Sequence, residues 1–84
     1  MLNVTAHEYD ALESVLPTVE LAMQTGDVCC INKINHLGLI AMAALRLLAE
    51  SESLMDTDTG EVLHPQPGFH LIGIDERGET RTLM

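Results

Sequence analysis

Aromatic side chains are nearly missing from this chain: its 84 residues include no Trp, one Tyr (Tyr9) and one Phe (Phe69). A core must therefore come from Leu, Ile, Val, Met and Ala. Basic residues are also scarce, with four Lys and Arg against 13 Asp and Glu and a formal net charge of −9. None of the four lies before Lys33, whereas Glu8, Asp10, Glu13, Glu20 and Asp27 all do. No basic patch can be assembled, which disfavours direct contact with nucleic acid, because phosphates are bound by Lys and Arg. Attraction to an anionic membrane surface is disfavoured on the same ground.

Long apolar runs are missing as well. The most apolar stretch, Leu37 to Ala49, contains Arg46 and is shorter than the roughly 20 residues needed to span a bilayer. The first residues lack the basic region and apolar core of a secretory signal. The two cysteines, Cys29 and Cys30, are adjacent and make no disulfide framework. These absences together lead us to expect a reduced, cytoplasmic protein.

At 46% hydrophobic, the composition suits a folded chain and excludes a disordered acidic tail. The length suits one domain, residues 1–84. Thr5-Ala6-His7-Glu8 fits a capping box, and Tyr9, Leu12, Leu16, Val19 and Met23 follow at helical spacing. This pattern predicts a first helix over 5–25, kinked near Pro17. Gly26 suits the left-handed end of that helix and Asp27 the cap of the next. A second helix is expected over 28–52 with two apolar seams. One is Ile31, Ile34, Gly38, Ala41, Leu45 and Leu48; the other is His36, Ile40, Ala43 and Leu47. Residues 54–63 and 69–83 read as β-hairpin segments joined by the stiff connector His64-Pro65-Gln66-Pro67-Gly68.

Candidate chemistry is sparse. Cys29-Cys30 has neither the two-residue spacer nor the nearby His of a redox or catalytic thiol, and reads as buried apolar packing. Asp58-Thr59-Gly60 matches the short signature of aspartic proteases, but their large β framework is missing, and these residues suit a turn. Asp56-Thr57-Asp58-Thr59-Gly60 resembles the opening of a calcium loop, yet Gly and Pro fall at positions five and twelve, where oxygen ligands belong. His7, His36, His64 and His70 form no zinc spacing with the cysteines. No catalytic, cofactor or metal residues are assigned, and an enzyme is not expected.

The sequence thus predicts an α+β fold: an antiparallel two-helix hairpin, then one or two short C-terminal β-hairpins, the whole paired as a homodimer with a four-helix core. The expected function is that of a small acidic adaptor or regulator acting by protein–protein binding, of a type common among bacterial and phage accessory proteins. Its dimer interface is placed at His36, Ile40, Ala43 and Leu47. Glu8, Asp10, Glu13, Glu20 and Asp27 are placed in contact with another, basic protein. The competing expectation is an acidic inhibitor whose carboxylates stand in for the phosphates of nucleic acid.

Overall fold

Leu2, Asn3, Val4 and Thr5 alternate apolar and polar, and this period of two decides their structure. They form strand β1 (Leu2–Thr5), not the opening of a helix. The computed structural model describes residues 1–7, 12–55 and 59–84. After β1 comes a short 3-10 turn at Leu12–Ser14 and then helix α1 (Leu16–Thr25). The expected capping box fails because Thr5 belongs to a strand; its partner Glu8 lies outside the described residues. Pro17 does not kink a long helix. It sits in the first turn of a shorter one, where its missing N–H leaves no hydrogen bond unmade. Gly26 ends α1 at φ +70°, its N–H donating to the Ala22 carbonyl, as expected for a left-handed cap.

The largest correction concerns residues 28–52. Val28–Asn32 is strand β2, followed by a 3-10 turn at Ile34–His36 and helix α2 (Leu39–Ser51). Val, Cys, Cys, Ile and Asn are all mediocre helix formers, and such a short continuous apolar run suits a strand buried in a parallel sheet. Lys33 turns the chain out of β2 at φ +55°. Gly38, expected inside a helix, is the extended residue that begins α2.

The expected antiparallel helical hairpin is therefore absent, since β2 separates the two helices in the chain. Strands β3 (Leu54–Met55) and β4 (Val62–Leu63) form an antiparallel pair of their own. Strands β5 (His70–Ile74) and β6 (Thr80–Thr82) do not form a separate C-terminal hairpin laid across helices. They join β1 and β2 in a mixed four-stranded sheet, ordered β1-β2-β5-β6. The β1–β2 and β2–β5 pairings are parallel, and β5–β6 is antiparallel. With the helices packed onto this sheet, the core is not the four-helix core expected from the sequence.

The register assigns each strand residue to a face. Leu2, Val4, Cys29, Ile31, Leu71 and Gly73 share one side, because paired positions in neighbouring strands point the same way. Cys29, Ile31 and Leu71 are fully buried there in a single cluster with Val15, Val19 and Ala22, and α2 adds Ala41, Leu45 and Leu48. Both helices therefore cover the same face. Gly73 makes one contact possible: the Ile34 side chain lies so close that an added Cβ would come within 2.5 Å of its Cδ1. The connector is anchored at α1, where the Gln66 N–H donates to the Met23 carbonyl at 2.9 Å.

Gly73→Ala should destabilise the fold by about 1–3 kcal/mol, because the added methyl displaces Ile34 from a filled site. Chemical denaturation measures the change; an unchanged midpoint would mean that Ile34 moves aside freely.

Candidate interaction surface

Helix α2 is divided lengthwise. Ala41, Leu45 and Leu48 enter the core, while Leu39 is 90% exposed, Ile40 87% and Leu47 63%. At 100° per residue, the exposed Ala43 stands opposite the buried stripe, between Leu39 on one side and Leu47 and Ile40 on the other. Arg46 borders this apolar strip, and Glu50, one heptad after Ala43, falls on its line at the C-terminal end. From Val28 to Ala49 the chain carries no carboxylate, although it carries 13 in all. Exposed apolar residues scattered singly are ordinary, but three large ones on one helical face are a candidate binding site. The β3–β4 pair adds exposed Met55 and Val62 directly across from one another.

Of the four residues placed at the dimer interface, Ile40, Ala43 and Leu47 lie on this open face. His36 does not. It precedes α2 in the 3-10 turn, and its Nε2 pairs with Glu76 Oε1 in the turn between β5 and β6. Asn35 binds the same Glu76 twice, donating from Nδ2 to Oε1 at 3.1 Å and accepting the Glu76 N–H at 3.2 Å. The His36 bond, then the Asn35 bond, hold the Glu76 carboxyl below its ordinary pKa, and Lys33 adds a smaller pull. Together these contacts fasten the loop before α2 to the loop after β5, at the carboxyl ends of the parallel strands. Beside them lies a small cavity of about 170 Å³, lined in part by Ile34, Met42, Gly73 and Arg81. Ligand pockets usually measure about 300–1,000 Å³, so this cavity does not suit a drug-sized ligand.

Glu13 is exposed and Glu20 half-buried, whereas Glu8 and Asp10 lie outside the described residues. Asp27 is already engaged: its Oδ1 accepts the Val28 N–H at 2.7 Å and pairs with the Met1 amino group at 3.2 Å. These two contacts, the backbone one first, lower its pKa. Asp27 caps the approach to a strand, not the helix expected there.

The two cysteines point to opposite sides of the sheet, because neighbouring residues in a strand alternate. Burial, followed by the neighbouring Cys30 thiol, pushes the Cys29 thiol up to about 11, which disfavours a reactive thiolate. Among the described residues, no three His, Cys, Asp or Glu side chains are grouped to hold a metal. The Asp56-Thr57-Asp58 part of the turn motif lies outside those residues. No helix among the described residues is long and apolar enough to cross a membrane. In comparisons with known proteins, the chain matches no family model and no curated protein sequence.

Two measurements test this electrostatic picture. Cys29 should resist alkylation in the native protein near neutral pH and react once the chain is unfolded; labelling at the rate of a free thiol would contradict its burial. For Glu76 the folded pKa is depressed, so its stabilisation is fully present above the unfolded pKa near 4.5 and is lost as pH falls through the folded value. Glu76→Gln should therefore lower the thermal midpoint slightly at neutral pH, and the difference should close on acidification below 4.5. A gap that persists in acid would mean that the carboxylate charge is not its source.

Proposed function

We propose that this chain is a small, non-catalytic protein-binding module whose docking surface is the outer face of α2. The observation that carries this reading is the joint exposure of Leu39, Ile40 and Leu47 on a helix whose opposite face is buried. Burying one such side chain fully is worth about 1.5–3 kcal/mol. Association itself costs at least about 4 kcal/mol, so three side chains sustain only a modest complex and surrounding contacts must contribute.

The partner that best suits this face is a second copy. Ile40, Ala43 and Leu47 run large, small, large along the helix, a pattern complementary to itself. Two α2 helices crossing antiparallel at Ala43 would set Ile40 of one copy beside Leu47 of the other. No carboxylate falls between Val28 and Ala49, and the nearest one on this face, Glu50, lies two turns beyond the crossing point at Ala43. The contact involves one helix from each copy, and His36 stays with Glu76. The acidic outer surface is then left for a basic protein partner, in the manner of an adaptor. The competing role of a nucleic-acid mimic draws no support from Asp27, which is already paired.

Solution mass by light scattering tests this reading. The parent chain should measure as a dimer, and Leu47→Glu as a monomer with unchanged circular dichroism, because Leu47 is exposed in the single chain. Equal masses for the parent and the variant would remove α2 as the docking face.

A further inference from the structure

The cavity beside the Glu76 contacts, about 170 Å³ in volume, lies just past the carboxyl ends of β2 and β5. Open α/β sheets take their ligands at this end of their strands. One side of the cavity is apolar, formed by Ile34, Met42 and Gly73. The other side carries charge from Asp75, Glu79 and Arg81. Arg81 is paired with Gly73 between β6 and β5, so its side chain leaves the sheet on the Gly73 side. Glu79 stands two residues earlier and leans the same way. Asp75 is fixed in place, because its Oδ1 accepts the Arg77 and Glu79 N–H groups. Asn35 also lines the cavity, but its amide is already bound to Glu76.

Two of these charges, of opposite sign, are not spent on each other. Among the described residues the ion pairs are Met1–Asp27 and His36–Glu76, and neither Glu79 nor Arg81 takes part. Residues two apart on a strand stand about 6.6 Å from each other, at about 3.3 Å per residue. That spacing leaves room for an ammonium and a carboxylate carried on one carbon, each facing its opposite charge. The lining excludes simpler ligands. Two carboxylates beside one guanidinium repel a phosphate or sulfate. A bare metal ion finds no group of three ligating side chains among the described residues. A plain alkylamine leaves Arg81 without a partner, and a plain fatty acid leaves the carboxylates without one. Size narrows the choice further: a cavity of about 150 Å³ holds benzene, so this one takes about eight non-hydrogen atoms.

We propose that this cavity binds a free α-amino acid with a short, branched aliphatic side chain, of the size of valine. Its carboxylate meets the Arg81 guanidinium, whose planar fork suits two parallel hydrogen bonds. Its ammonium meets Glu79, with the fixed Asp75 carboxylate on the same side of the cavity. Its side chain lies against Ile34 and Met42. A zwitterion with an apolar end uses all three features of the lining at once. Glu79 and Arg81 are exposed, so water screens both pairs and the Kd is about millimolar. The site does not rest on the docking of α2, whose outer face carries none of these residues.

The test is a two-dimensional NMR titration of the parent chain with three probes: L-valine, isobutylamine and 3-methylbutanoate. The last two keep the branched side chain, and each lacks one of the two charges. Valine should shift the Gly73, Asp75 and Thr80 amides saturably, and each analogue should bind about fivefold more weakly. Arg81→Gln should weaken valine by about the same factor and leave isobutylamine unchanged. Glu79→Gln should weaken valine and leave 3-methylbutanoate no weaker. Both side chains are exposed, so the variants should keep the fold, which thermal unfolding checks. The comparison of probes on the parent chain needs no variant at all. Absence of a saturable shift with valine overturns the proposal. So does isobutylamine binding as tightly as valine, which marks a simple cation site, or an Arg81→Gln chain that binds valine as the parent does. Failure of the α2 docking reading looks different, since it is read from solution mass and leaves the valine titration unchanged.

Discussion

Strand β2 is hydrogen-bonded along both edges to strands that run in its own direction, β1 on one side and β5 on the other. Parallel neighbours cannot be joined by a tight turn; each junction needs a crossover long enough to carry the chain back. That constraint accounts for the order of elements. The first crossover contains α1, and the second contains α2 and the β3–β4 pair. Both helices lie over the same side of β2, so one face of the sheet receives the core and the other receives no helix among the described residues. β6, after the turn that begins at Asp75, is joined to β5 by a short connection; there Asp75 Oδ1 accepts the Arg77 N–H at 2.8 Å and the Glu79 N–H at 3.0 Å.

From this arrangement follow the surfaces that give the molecule its character. A helix resting on a sheet by one stripe leaves its other stripe to solvent, and in α2 that stripe is Leu39, Ile40, Ala43 and Leu47. The contacts of His36 and Asn35 with Glu76 fix the loop from which α2 departs. A sheet covered on one face leaves Cys30, Ile72 and their neighbours on the other. On α2 the apolar surface lies in a stretch, Val28 to Ala49, that carries no carboxylate in an otherwise acidic chain. This coincidence underlies our reading of a protein that works through contacts with other proteins and with itself.

The amphipathic division of α2 was legible in the sequence, because Ala41, Leu45 and Leu48 repeat at helical spacing and end in the core. The left-handed stop at Gly26 was legible too. The strands before and between the helices were not. Ile31 and Ile34 happen to continue the α2 spacing backwards, so helical periodicity absorbed β2, although Val28-Cys29-Cys30-Ile31 is the kind of short apolar run that parallel sheets bury. The alternation of β1 was masked by a capping-box match at Thr5. Parallel pairing leaves no local signature, since its partners are brought together only by the crossovers. The Glu76 contacts were hidden for the same reason: they join residues about 40 positions apart, as the His36–Glu76 pair does.

Residue-resolved amide hydrogen exchange tests the central position of β2 most directly. Set in a strand that is hydrogen-bonded on both edges, Cys29, Cys30 and Ile31 should exchange only on global unfolding, more slowly than the exposed outer turns of α2. Fast exchange at these three residues, or protection continuing unbroken from Val28 through Glu52 with helical chemical shifts, would contradict the account.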